Sequence, residues 1–193
     1  MNREAWLSEC LNKLRPAFIE VGFELPEKIR ASCSWPSKSG LAQKKRRIGE
    51  AWSAKNSGDN SFEVFISPVL KDPIEVAAVL VHELTHCAVG LEDGHKGNFP
   101  KCAKRMGLEG KMTATTAGEE LRRKLELLAA EVGPYPHAEL KRSNAPPKQS
   151  TRMLKVVCKE CGCVVRMTRK WLDEAGCPTC ACGGAMIEDE SDD

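Results

Sequence analysis

His82, Glu83 and His86 form an H-E-x-x-H pattern inside an apolar run that includes Val76, Val79, Leu80, Val81, Leu84 and Ala88. On a helix, residues i and i+4 lie one turn apart on the same face, so both imidazoles can reach one zinc ion. Zinc lowers the pKa of a coordinated water toward ~7, and a neighbouring carboxylate takes the proton as that water attacks a carbonyl. Glu83 is next in the chain to do this without being a ligand. Two histidines on an ordinary surface helix are the plainer reading. The apolar surroundings argue against it, because unpaired buried imidazoles are costly.

A third ligand is needed. The metzincin pattern asks for glycine three and histidine six residues after the second histidine, where this chain has Val89 and Glu92. A gluzincin-like arrangement would draw Glu119 or Glu120 from a later helix. His95, reached through Gly90 and Gly94, is preferred because imidazole is a good zinc ligand and no other role for it is evident.

A second constellation lies near the C-terminal end, where six of the ten cysteines are found. In a reducing compartment such a cluster reads as metal ligands rather than disulfides. Cys158 and Cys161, with Gly162 behind them, form one half of a zinc ribbon. The other half is open on spacing alone. Cys177 and Cys180 give a C-x-x-C step, whereas Cys180 and Cys182 put glycine after the last cysteine, as in the first half. Between the halves, 164–171 is predicted as one strand carrying Arg166, Arg169, Lys170 and Trp171. Cations for phosphate and an indole for stacking would suit nucleic acid, and a solvated ribbon face would look the same.

The elements that must position these groups follow from pattern. Trp6, Leu7, Cys10, Leu11 and Leu14 predict a helix over 3–15, ended or kinked by Pro16. Strands are expected over 29–35, 48–52 and, most clearly, 62–66. Asp72, Pro73 and Glu75 open the helix that carries the histidines, and Gly90 stops it. A further helix is expected over 99–106, and Thr116 to Glu119 reads as a capping box opening another that ends near Gly133. Residues 143–152 read as a linker, 153–187 as the ribbon, and 188–193 as a frayed acidic tail. Tyr135 and His137 are weaker candidates for oxyanion stabilisation. Lys44 to Arg47 and Lys141 with Arg142 are weaker candidates for DNA contact.

The segments 48–52 and 62–67, the histidine helix, and Gly94 with His95 and Phe99 together resemble the SprT-like (Spartan-related) zinc metalloproteases. The resemblance spans about 45–187. It implies an α+β protein: a compact, mostly helical zincin-like metalloprotease domain with a few strands over 1–142, then a small zinc ribbon. It implies a catalytic zinc on His82, His86 and His95 with Glu83 as general base, and a structural zinc on Cys158, Cys161, Cys180 and Cys182. It also implies that the protein substrates are associated with DNA, to which binding should be weak. The alternative is an adaptor that binds nucleic acid without proteolysis.

The composition fits this. The chain has 193 residues, 41% hydrophobic and 29% charged, with a net charge of +2. That suffices for one core-forming domain and an appendage, and a small net charge selects no partner class. No apolar run reaches the ~20 residues of a membrane span, and no signal-peptide core follows Met1. A cytoplasmic monomer is expected.

Overall fold

The computed structural model describes residues 1–42, 44–141 and 153–189. The chain divides into two compact units, Met1–Arg142 and Ser143–Asp193. The expected linker, and the tail beyond Asp189, lie outside the described residues. No helix among the described residues is long and apolar enough to cross a membrane.

The first unit mixes helices and small sheets. Helix α1 spans Arg3–Glu20, with the Asn2 side chain accepting from the Ala5 N–H. It runs past Pro16 instead of ending there. Phe18 is fully buried and anchors the last turns. Arg15 donates to the Pro26 and Glu27 carbonyls at 2.9 Å each, tying that end of the helix to the loop that follows. Tertiary burial thus outweighs the hydrogen bond lost at the proline.

Strands β1 (Ile29–Cys33), β2 (Gly49–Trp52) and β3 (Phe62–Ile66) form a sheet in the order β1-β3-β2. β1 runs parallel to β3 and β2 antiparallel to it, with Gly49 opposite Ile66 and Trp52 opposite Glu63. Trp35 falls outside β1, so the first strand is shorter than its alternation suggested. A short 3-10 turn over Ala54–Asn56 lies between β2 and β3.

Helix α2 (Pro73–Val89) begins as expected, with Asp72 accepting from the Glu75 N–H at 2.8 Å and Pro73 in its first turn. Val76, Leu80, Val81 and Leu84 are fully buried against Val64 and Ile66 of β3 and against α1. Each such side chain contributes about 1.5–3 kcal/mol by burial, which holds α2 in the core of the unit. Helix α3 covers Phe99–Arg105.

The capping box is a misreading. Thr116 lies in a hairpin of β4 (Leu108–Lys111) and β5 (Ala114–Ala117), opposite Glu109. Gly118 caps α4 (Glu119–Val132) with no side-chain hydrogen bond. Thr115 and Thr116 serve as β-branched residues of β5, which a two-residue turn joins to β4, a pairing that helix-cap spacing does not reveal. α4 buries Leu121, Leu125 and Leu128, and its outer face carries Arg122–Glu126 and Lys124–Glu120 pairs one turn apart.

In the second unit, β6 (Leu154–Cys158) is flanked by β7 (Val164–Met167) and β8 (Met186–Glu188), both antiparallel to it. Glu188 is therefore a strand residue and not part of a frayed tail. Asp189 continues the pairing, with its N–H on the Lys155 carbonyl and its carboxylate 2.7 Å from Lys155 Nζ. The expected single strand over 164–171 ends at Met167. The Thr168 side chain then caps a short helix, α5 (Arg169–Ala175).

Candidate metal centres

The first centre begins with helical spacing. His82 and His86 project from one face of α2, and His95 is brought over them by the turn that follows Gly90. The His95 Nε2 lies 3.2 Å from the Nε2 atoms of both His82 and His86. Imidazole nitrogens bound to a tetrahedral zinc at ~2.0–2.1 Å stand ~3.3 Å apart, so the spacing fits that ion. One proton can serve each nitrogen pair at most, and a shared cation satisfies three converging lone pairs better. Glu119 and Glu120 are not here; they pair with Arg123 and Lys124 on the exposed face of α4.

Three features hold this arrangement. Phe99 packs against all three imidazoles, with centroid distances of 4.3 Å to His86, 4.9 Å to His95 and 5.1 Å to His82. Thr115 Oγ1 on β5 lies 2.8 Å from His82 Nδ1, so it can accept the Nδ1 proton and leave the Nε2 lone pair free. Gly97 adopts a left-handed φ of +56°, and a Cβ there would fall 2.5 Å from the Asp93 carboxylate. The loop carrying His95 therefore requires glycine at that point. Burial, with the neighbouring His95, lowers the His82 pKa to about 4, and burial with its charged neighbours lowers that of His86 to about 3. Both rings are consequently neutral, as ligands must be, at physiological pH.

Glu83 lays its carboxyl against β2. It is 6% exposed, and burial pushes its carboxyl up to about 8 against the opposing charge of Arg47. A Cβ built on Gly49 would fall 2.4 Å from Glu83 Oε1 and 2.6 Å from Val79 Cγ1. Only glycine lets β2 approach α2 this closely. A glycine inside a strand pattern is a recognised sign of close backbone approach, and it was the available signal for Gly49. Thr115 gave no such signal, because its role depends on a hairpin.

Beside Gly49, Glu50 is 8% exposed and accepts from the Ser37 N–H, the Ser37 hydroxyl, Trp52 Nε1 and Arg47 Nη1 at 2.6–3.0 Å. Burial opposes its ionisation, but these four donors outweigh it and hold the carboxyl below its ordinary range. Within the basic run, Arg46 donates to the Ala42 carbonyl, while Lys44 and Lys45 are exposed. Lys141 is exposed, and Arg142 lies outside the described residues.

Tyr135 and His137 do not join the imidazoles. Tyr135 packs on Trp6 of α1 with centroids 4.8 Å apart, and His137 Nε2 lies 2.8 Å from the Pro68 carbonyl. Both pin the segment after α4 to the body of the unit.

The second centre gathers the sulfurs of Cys158, Cys161, Cys180 and Cys182 within 4.8 Å of one another. Cys158 to Cys182 and Cys161 to Cys180 are 3.5 Å apart, and Cys180 to Cys182 is 3.4 Å. These are slightly inside the ~3.8 Å expected of thiolates around zinc at ~2.3 Å, and far beyond a disulfide bond. Backbone N–H groups, that of Cys161 foremost, lower the Cys158 pKa to about 6. Cys163 and Cys177 are exposed and outside the group. Both sets of donors fit a zinc ion.

The cations of this unit do not form one stripe. Arg166 is on β7 opposite Lys155, whereas Arg169 is on α5 and pairs with Glu188 and Asp173. Lys170 sits 5.2 Å from the centre of the Trp171 ring, and Trp171 is 55% exposed. No family model, curated protein or solved structure matches the chain.

Proposed function

We infer that the chain is a zinc-dependent endopeptidase of SprT-like, zincin type with a structural zinc ribbon, acting on proteins held on DNA. The observation that carries this reading is that His95 Nε2 stands 3.2 Å from the Nε2 atoms of both His82 and His86, which lie on the helix that also bears buried Glu83. A purely structural site has no use for a buried carboxylate at that position.

Zinc bound there would supply Lewis acidity, acidifying water and polarising a carbonyl. His82, His86 and His95 would hold it, and Thr115 would fix the tautomer of His82. Glu83 would take the proton from the attacking water and pass it to the leaving amine. β2 pairs only with β3 among the described strands, so its other edge suits an extended substrate added by backbone hydrogen bonds. Exposed Trp171 with Lys170 beside it supports a nucleic-acid contact by stacking and charge.

The test is cleavage of an unfolded protein by the zinc-loaded chain, compared with Glu83→Gln. The variant should retain zinc and lose cleavage by about 10²-fold or more. Cleavage undiminished in that variant would overturn the assignment. Zinc and DNA binding with no cleavage by the unaltered chain would favour the adaptor.

A further inference from the structure

Tyr135 is 8% exposed, and its hydroxyl makes no hydrogen bond of sound geometry among the described residues. A buried donor left unpaired is costly, so its surroundings call for an explanation. The ring is fixed by Trp6 on one side and by His137, with centroids 5.5 Å apart, on another. Burial, with the Cys33 thiol beside the hydroxyl, raises the tyrosine above its ordinary range and keeps it a donor. Arg3, in the first turn of α1, approaches the same thiol: its Nη1 donates to Cys33 Sγ at 3.9 Å and lies 3.3 Å from His137 Nδ1. His137 Nε2 donates to the Pro68 carbonyl, so Nδ1 is the bare nitrogen that accepts from Arg3 and orients the guanidinium. Cys33 is only half-buried, whereas Cys10, Cys87 and Cys102 of the same unit are buried.

We propose that Cys33 is a redox-modification site, oxidised by hydrogen peroxide to a sulfenate whose oxygen accepts from the Arg3 guanidinium and the Tyr135 hydroxyl. Reactive cysteines sit in partly exposed surroundings beside a cation, and Arg3 supplies one. The Cys33 sulfur, its proton lost to solvent, attacks one oxygen of the peroxide. The S–O bond forms as the O–O bond breaks, and the departing hydroxide takes up a proton as water. Sulfur is thereby oxidised by two electrons and the peroxide reduced by two. The new oxygen gives the orphaned hydroxyl the acceptor it lacks, and its charge strengthens both hydrogen bonds. Two equivalents of a small thiol reverse the step: the first displaces water to leave a mixed disulfide, and the second frees Cys33.

The test treats the full zinc-loaded chain with stoichiometric hydrogen peroxide, traps sulfenate with dimedone and locates the label by peptide mass spectrometry. Cys163 and Cys177 are exposed and outside the sulfur group, so exposure alone would label them ahead of Cys33. Cys33 should instead be labelled several-fold faster than either. Arg3→Gln should slow that labelling on the order of tenfold, as expected for loss of a charged hydrogen bond. Tyr135→Phe keeps the ring on Trp6 and removes only the unpaired hydroxyl. It should lower the trapped yield about threefold while the reduced chain melts no lower than the unaltered one. Should Arg3→Gln fail to fold, Arg3→Lys carries the test: it keeps the charge, loses the fork and should slow labelling several-fold. Labelling of Cys33 no faster than that of Cys163 and Cys177, or equal labelling of Cys33 in the unaltered chain and the variants, would overturn the site.

Discussion

The Glu83 carboxylate lies directly beneath the backbone of Gly49, with the site of a missing Cβ 2.4 Å from Oε1. The strand and the helix are thus packed through a gap that no side chain can share. Gly49→Ala should push Glu83 or β2 aside and cost about 1–3 kcal/mol by overpacking. The melting temperature of the first unit should fall by about 3–10 °C. Metal affinity at the imidazoles should change far less, because none of them touches Gly49. A thermal scan beside a chelator competition checks both; unchanged melting would mean the contact is not tight.

Thr115 makes a different kind of prediction. Its hydroxyl is 2.8 Å from His82 Nδ1 and reaches it from a separate hairpin. Thr115→Val keeps the shape and removes the acceptor, so zinc affinity at the first centre should drop about 10–100-fold. Thr115→Ser should restore most of it. Competition against a chelator of known strength measures the drop, and equal affinity in all three chains would reduce Thr115 to a packing residue.

Much of this site was legible from spacing because α2 is a local object. Asp72, Pro73 and Gly90 bracket it, and 3.6-residue periodicity alone puts His82 and His86 on one face. His95 was legible because two glycines lead the chain back toward the helix. What spacing could not reveal is what arrives from elsewhere in the chain. Thr115 depends on β4 pairing with β5. In the second unit, the cation and indole run was misread as one strand because Thr168 serves equally as a strand residue and as a helix cap. Pro16 does not end the helix, one of the two outcomes expected of it, because Phe18 is buried beyond it, and local propensity contains no term for that burial.

Metal removal should affect the two units unequally. The buried cluster of the second unit is Val156, Cys158, Cys180 and Met186, so two of its four members belong to the candidate metal centre. Chains below ~40 residues seldom fold without such a staple. A strong chelator should therefore abolish amide protection across β6, β7 and β8. The first unit, whose core contains Trp6, Phe18, Leu80 and Leu125, should keep a cooperative transition. Its destabilisation is limited to the binding linkage, ~4 kcal/mol at a thousandfold excess over Kd. Metal analysis should find zinc at both groups, with His82→Ala and Cys158→Ser each releasing one equivalent. A single equivalent in the unaltered chain would mean one centre is misassigned.

The nucleic-acid contact proposed for the second unit is tested most cleanly at Trp171 and Lys170. Arg169 is held by Glu188 and Asp173, so its removal would disturb α5 and β8 together and give an ambiguous loss. Trp171 is exposed at the start of that helix, and Lys170 lies over its ring. If bases stack on this indole, Trp171→Ala should cost about 1–3 kcal/mol of affinity for single-stranded DNA, with the salt dependence unchanged. Lys170→Ala should do the reverse, reducing the slope of log affinity against log salt by about 0.7 with a smaller loss at high salt. Polarisation titrations of a labelled oligonucleotide at several salt concentrations separate the two effects. A chain whose DNA affinity is indifferent to both substitutions would direct the search for the contact to the exposed Lys44 and Lys45 of the first unit.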